Sequence, residues 1–187
     1  MRGAGGEGAE SDDLLMERYA AGDARAFEAL YARWESPLFG FVLRMTGDPE
    51  AAVDAFQEVW LRVVEARGAY RGEGRFRSWL FTVARRVCVD RDRKGSPRER
   101  REGGQPGERP DSGRSARPDE ALVRAEEIGR LLGSLPSGQR EALLLSKYHG
   151  FTYGEIAEMT GTTEAAVKQK VYRALRSLRE AKGETDD

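Results

Sequence analysis

Half of the 24 residues from Gly95 to Pro118 are Gly, Pro or Ser, and Ala116 is the only apolar side chain among them. Such a stretch cannot bury enough surface to offset the entropy of ordering it. It therefore divides the 187-residue chain into two pieces, each of which must build its own core. As a flexible linker it reaches roughly 80 Å at full stretch. Its arginines either touch phosphate or an acidic protein surface, or they keep a spacer solvated; composition does not choose between the two. The expected layout is a disordered N-terminus over 1–12, a first domain over 13–94, the linker over 95–118, a second domain over 119–182 and a disordered tail over 183–187.

Both pieces carry a helical apolar period, and neither shows sustained two-residue alternation, so the fold class is all-α. Phe27, Leu30, Tyr31, Trp34, Leu38, Phe41, Val42 and Met45 recur at three and four. Pro37 interrupts that run, and Ser36 before it is placed to cap a restart, which predicts a kink or a new helix there. Gly47-Asp48-Pro49 stops one helix and starts the next, over 49–66. Val53, Phe56, Val59, Trp60, Val63 and Val64 form its apolar stripe, with Asp54, Gln57, Glu58, Leu61 and Glu65 opposite. After a glycine-rich loop over 68–75, Phe76, Trp79, Leu80, Val83 and Val87 mark another helix. All three tryptophans lie in this first half, as a separate core requires. Beyond the linker, helices are expected over 119–132 and 142–148, divided at Leu135-Pro136 and stopped at Gly150. Thr152 and Glu155 have capping-box spacing for a short helix over 153–159. Gly161 turns the chain, and Thr162 or Thr163 caps a last helix ending near Ala181.

Composition excludes several function classes. One cysteine, Cys88, and one histidine, His149, leave no disulfide and no metal cluster, and no cofactor is expected. Cys88 reads as a small packing residue. There is no GxxxxGK[ST] phosphate loop and no Ser-His-Asp context, so catalysis is not expected. No apolar run approaches a membrane span and the N-terminus lacks a secretion signal, which predicts a cytoplasmic protein without membrane insertion. The net charge of −1 conceals a strong asymmetry. Residues 75–94 hold seven basic and two acidic side chains, 162–179 hold five and one, and the first 17 residues hold one and five. Local field decides where a polyanion can sit.

A short helix, a tight turn at Gly161 and a longer basic helix make a helix-turn-helix. Ala157 is small where the two helices cross, and Ile156 and Val167 pack between them. In the last helix Val167, Val171, Ala174, Leu175 and Leu178 cover one face. Ala165, Ala166, Gln169, Tyr172, Arg173 and Arg176 cover the other, flanked by Lys168 and Lys170. Arg can bond guanine edges, Gln can bond adenine and Lys meets phosphate, so this face suits a major groove. Charge alone would equally suit an ordinary amphipathic helix with a solvated basic face; the turn, the caps and the small Ala157 together favour DNA reading.

Two segments resemble a known family. Residues 135–180, LPSGQREALLLSKYHGFTYGEIAEMTGTTEAAVKQKVYRALRSLRE, resemble the promoter-binding C-terminal domain of bacterial sigma factors. Residues 51–94, AAVDAFQEVWLRVVEARGAYRGEGRFRSWLFTVARRVCVDRDRK, resemble their N-terminal domain, called region 2. Their order, with a linker and no middle domain, is similar to the extracytoplasmic-function (ECF) class. The resemblance implies a factor that directs core RNA polymerase to promoters. It implies docking on the clamp of the largest subunit through Asp54, Gln57 and Glu58, around the exposed Leu61. Region 4, the second domain, would meet the flap of the second-largest subunit, and an anti-sigma factor is a further partner. Bases of the −10 element would be captured by Tyr70, Arg71, Arg75, Phe76 and Arg77 and by Arg85, Arg86 and Arg93 of the basic helix. Rings that stack on bases, beside guanidinium groups that hold phosphates, suit that task. Phe76 and Trp79 also lie on the apolar stripe, and Trp79 reads foremost as core. Family members often carry Asn where this chain has Arg86. The −35 element would be read by Thr163, Lys168, Gln169, Tyr172, Arg173 and Arg176, with Lys168 at the edge of the face.

The alternative is a helix-turn-helix regulator of another kind, such as a response-regulator output domain with a sensor in front. No phosphate-accepting acidic pocket on a β-α pattern supports it.

Overall fold

The computed structural model describes residues 10–70, 74–94 and 120–183, of which 94 and 120–126 by backbone alone. The 95–118 segment and Arg71 lie outside the described residues. Every regular element among the described residues is helical. The first domain comprises α1 (Asp12–Ala20), α2 (Ala24–Thr46), α3 (Pro49–Glu65), a short 3-10 turn (Ala66–Gly68) and α4 (Phe76–Lys94). The second comprises α5 (Glu120–Gly133), α6 (Ser137–Leu143) running into a π-helical turn (Leu144–Tyr148), α7 (Tyr153–Thr160) and α8 (Glu164–Ala181). No helix among the described residues is long and apolar enough to cross a membrane.

Structure begins earlier than the sequence pattern indicates. Ser11 caps α1 by accepting the Leu14 N–H at 3.2 Å, so residues 10–12 belong to the first domain. Leu15, Met16 and Tyr19 of this helix are buried. Asp23 then closes the turn into α2. It accepts the Arg25 N–H at 3.0 Å and pairs with Arg18 at 2.6 Å.

The kink or restart expected at Pro37 does not occur, and α2 runs unbroken through it. Pro37 is solvent-exposed, so the carbonyl that loses its helical donor sits on the water-facing side of the helix. Burial of Leu30 and Leu38 on the other side holds the two halves in one line. The core is an aromatic stack between α2 and α3. The Tyr31 and Trp60 rings are 4.8 Å apart, and Phe27 meets Trp60 edge-on at 5.6 Å. Rings that pack in this way add to the burial energy because their edges and faces carry opposite partial charge.

The buried side of α3 differs from the expected stripe at two positions. Ala52, Ala55, Phe56, Val59, Trp60 and Val63 face inward, whereas Val53 and Val64 are exposed. The stripe predicted from sequence was too wide: small Ala52 and Ala55 take the places nearest α2. Val53 and Val64 rotate to the outer face beside Leu61.

The two domains also pack on each other. His149 of the second domain lies between Phe81 (4.5 Å) and Phe41 (5.5 Å) of the first. Phe151 meets Phe81 at 5.4 Å, and Arg77 lies 4.0 Å above the Phe151 ring. Arg140 donates to the Met45 carbonyl at 2.8 Å. Arg85 and Glu141 form an ion pair that is almost wholly buried. Each charge there relies on the other, and stripping one from such a pair typically costs about 3–5 kcal/mol. The π-helical turn before His149 supplies the extra residue that brings this ring into the seam.

His149 makes the seam acid-sensitive. Burial, reinforced by the nearby charges of Arg77 and Arg44, pushes its pKa down to about 4 from an ordinary 6.5. An imidazole released from the seam takes up a proton as pH falls below 6.5, and the docked one does not until about 4. Docking is therefore undiminished above pH 6.5 and weakens progressively as pH falls towards 4. Energy transfer between dyes on α1 and α8 should fall between pH 7 and pH 4.5 (both about) in the native chain, and stay flat in His149→Phe. An identical acid response in both proteins would remove His149 from the account.

Candidate functional site

Three surfaces gather the residues singled out by sequence. The first is the outer face of α3, with Asp54, Gln57 and Leu61 exposed; Leu61 reaches 61%. Val53 and Val64 extend it as exposed apolar side chains. An apolar row among polar groups is the pattern of a contact patch. Glu58 behaves differently. It accepts from Arg62 at 2.6 Å and from Arg91 of α4 at 3.0 Å. Burial works against its charge, but these two arginines hold the Glu58 carboxyl below its ordinary value. Glu58 thus joins α3 to α4, and the same Arg91 also reaches Asp54 at 3.8 Å.

The second surface is a groove of about 640 Å³ at the start of α4. Tyr70, Arg75, Trp79 and Arg86 line it from the first domain, with Ser78 and Thr82 between them. Arg75, Trp79, Thr82 and Arg86 repeat at helical spacing, so they share one face of α4. That spacing was the signal that could have placed Trp79 here; the apolar stripe drew it to the core instead. Trp79 is half-buried, with its ring 5.3 Å from Tyr70.

Several residues expected at the −10 element stand elsewhere. Phe76 is buried at 1% exposure and packs behind Tyr70, so its ring belongs to the core and offers no stacking face. Arg85 is paired with Glu141, and Arg77 is spent on the Phe151 ring, where burial lowers its pKa. Arg93 is exposed near the end of α4. The far wall of the groove comes from α7, as Glu155, Glu158 and Met159. Glu158 pairs with Arg75 at 3.4 Å between two exposed side chains.

The third surface is the helix-turn-helix. The Thr152–Glu155 capping box is complete, with the Thr152 N–H donating to Glu155 at 2.7 Å and the Glu155 N–H to Thr152 at 3.2 Å. Gly161 ends α7 with φ 65°, in the left-handed region that favours glycine. Thr163 caps α8 by accepting the Ala166 N–H at 3.2 Å. Val167, Val171 and Ala174 are buried, which fixes the rotation of the helix. Thr163, Lys168, Gln169, Tyr172 and Arg173 then project outward, with Tyr172 at 66% exposure. Arg176 is drawn along the helix to Glu180 at 2.8 Å, away from the centre of that face.

The ion-pair geometry separates Glu58 from its neighbour. Glu58→Ala should lower the stability of the chain by about 1 kcal/mol, since Arg62 loses its partner and Arg91 keeps only Asp54 at 3.8 Å. Gln57→Ala, one residue away and fully outward, should leave it unchanged. Thermal melts of the two variants check this, and equal midpoints would show that the Glu58 contacts carry no stability.

Comparison with known proteins agrees with this geometry. Residues 30–98 match the sigma-70 region 2 family and residues 125–178 match sigma-70 region 4. ECF RNA polymerase sigma factor SigC of Mycobacterium tuberculosis (strain CDC 1551 / Oshkosh) is 34% identical over 180 residues, 95% of this chain and 94% of that protein. RNA polymerase sigma factor CarQ of Myxococcus xanthus is 33% identical over 175 residues, 91% of this chain and 97% of that protein. The fold is similar to that of CnrH in complex with the cytosolic domain of CnrY. The TM-score is 0.72 at 21% identity, covering 95% of this chain and all of that one, 100%. It is also similar to sigma factor RpoE in complex with the anti-sigma factor NepR from Bartonella quintana. There the TM-score is 0.65 at 23% identity, covering 82% of this chain and 94% of that one. A regulator of another helix-turn-helix kind would not match both sigma regions in this order. The chain belongs to the sigma-70 family of RNA polymerase sigma factors, in its ECF class, and directs the polymerase to promoters.

Proposed function

We propose that the three surfaces divide the work of initiation. The outer face of α3, through Asp54, Gln57 and Leu61 with Val53 and Val64, docks on the clamp of the largest polymerase subunit. The groove of α4, through Tyr70, Trp79, Arg75 and Arg86, captures −10 bases, with Arg93 on the backbone beyond. The outward face of α8 reads the −35 element, while the rest of the second domain meets the flap of the second-largest subunit. Arg77 and Arg85, already engaged by Phe151 and Glu141, are not assigned to DNA, and Phe76 is left to the core. The chain acts in the cytoplasm, where the polymerase works, and catalyses nothing itself; the chemistry belongs to the polymerase. A solved relative of this fold is held by an anti-sigma factor, and the same kind of partner fits here.

One observation carries the reading most strongly. On α8 the buried Val167, Val171 and Ala174 leave Gln169, Tyr172 and Arg173 as a continuous exposed row. An amide and a guanidinium on one helix face can each make paired bonds to base edges. Lys168 sits at its margin, where a phosphate would lie.

These roles predict different signatures. In holoenzyme, Arg173→Ala should relax the preference at one base position of the −35 element, by roughly 1–3 kcal/mol. Lys168→Ala should weaken binding on every sequence and reduce the salt slope by about one. Promoters carrying single-base changes make the comparison. A uniform loss for Arg173→Ala would make that residue a phosphate clamp and return base reading to Gln169 and Tyr172.

A further inference from the structure

The start of α4 lacks a cap of its own. Gly74 and Arg75 precede it, and neither side chain can accept a hydrogen bond. The first amide of the helix, that of Phe76, has no acceptor within the helix, as holds for the opening amides of any α-helix. Here the acceptor arrives from the other end of the domain. Asp13 Oδ1, in the first turn of α1, accepts the Phe76 N–H at 3.3 Å. The same oxygen accepts the Tyr70 hydroxyl in a short hydrogen bond. Tyr70 ends the segment of the 3-10 turn and Phe76 opens α4, so one carboxylate ties the end of that segment to the start of α4.

The consequence falls on the groove. Tyr70 packs edge-on against Phe76 at 6.0 Å and Trp79 at 5.3 Å, and both Tyr70 and Trp79 line the groove. A tyrosine held only by ring contacts can turn its free hydroxyl to water. With its hydroxyl bound to a carboxylate it cannot. A hydrogen bond with one charged partner is about twice as strong as a neutral one. Burial and the bond to Asp13 push the Tyr70 phenol well above its ordinary range, so it remains a donor throughout physiological pH. A ring fixed before DNA arrives has less freedom to lose on capture.

We propose that Asp13 is a positioning residue for −10 recognition, acting through Tyr70 and the start of α4. It touches no DNA. The inference rests on the assignment of the α4 groove to the −10 element, and it gives the acidic N-terminal helix a role in promoter choice.

Holoenzyme reconstituted with each of five variants tests it: Asp13→Ala, Asp13→Asn, Tyr70→Phe, the double Asp13→Ala/Tyr70→Phe, and Tyr70→Ala. Initiation is measured on promoters with single-base changes in the −10 element and, separately, in the −35 element. Asp13→Ala should reduce discrimination at the −10 element by about tenfold, the loss expected for a hydrogen bond to a charged group. Core polymerase binding and −35 preference should stay unchanged. Asp13→Asn, whose amide oxygen still accepts both donors, should recover most of the discrimination. The double variant should be no worse than Asp13→Ala, because both lose the same contact. Normal −10 discrimination in Asp13→Ala, with loss in Tyr70→Ala, would overturn the role of Asp13 and leave the groove assignment standing. Normal discrimination in Tyr70→Ala would overturn the groove assignment itself. If Asp13→Ala impairs core binding and both elements alike, or fails to fold while Asp13→Asn and Tyr70→Phe both discriminate normally, Asp13 serves only the fold.

Discussion

Burial of one side of α3 against α2 sets the geometry of the first domain. Phe56, Val59, Trp60 and Val63 are held by an aromatic stack that includes Phe27 and Tyr31, and such a stack tolerates little rotation. Once that side is fixed, the 3.6-residue period leaves Asp54, Gln57 and Leu61 no direction but outward. Glu58 falls between the two sides, and it takes Arg62 and Arg91 as partners. Through Arg91 it also aligns α4, whose inner residues Phe76, Leu80, Phe81 and Ala84 close the same core. The groove then follows, because Arg75, Trp79, Thr82 and Arg86 are what the inner residues of α4 leave over. The same logic governs α8, where burial of Val167, Val171 and Ala174 determines which side chains face outward.

Charge is distributed with equal economy. The near-neutral total conceals a basic α4, and the second domain meets it with carboxylates. Glu141 pairs with Arg85 in the seam, Glu158 with Arg75 at the groove, and Glu155 lies in the same wall. Acidic groups thus stand where phosphates would be drawn by the bare first domain. Among the described residues, no carboxylate pairs with the central row of α8, Gln169, Tyr172 and Arg173. The two halves are therefore unequal among the described residues: the outward face of α8 is exposed, and the α4 groove is partly screened by Glu155 and Glu158.

Much of this was legible in the sequence, for particular reasons. The helix-turn-helix announces itself locally: the capping box, the αL glycine at 161 and the apolar period of α8 all act within a few residues. The helical character of α2, α3 and α4 is equally local. What the sequence hid was long-range. Val53 and Val64 look like core until α2 shows which residues it can reach. Phe76 and Trp79 look interchangeable on a helical stripe, yet one is buried and the other opens onto a groove. Arg85 reads as a DNA contact until Glu141, 56 residues away, is found beside it. Pro37 reads as a break until its exposure shows that the missing bond lies on the water side. Asp13 could not have been found at all, since its partners lie 57 and 63 residues along the chain.

As a sigma factor, the chain selects DNA as part of a polymerase, and the proposed division of its surfaces has two domains read two elements. The most direct test adds the purified chain to core RNA polymerase on fragmented genomic DNA and maps the 5′ ends of the transcripts. The account predicts new starts that share two upstream elements at a fixed spacing, and that vanish when either the chain or the core enzyme is left out. It would be contradicted if the chain alone retained the same DNA fragments with full sequence selectivity and its addition to the core enzyme created no new starts.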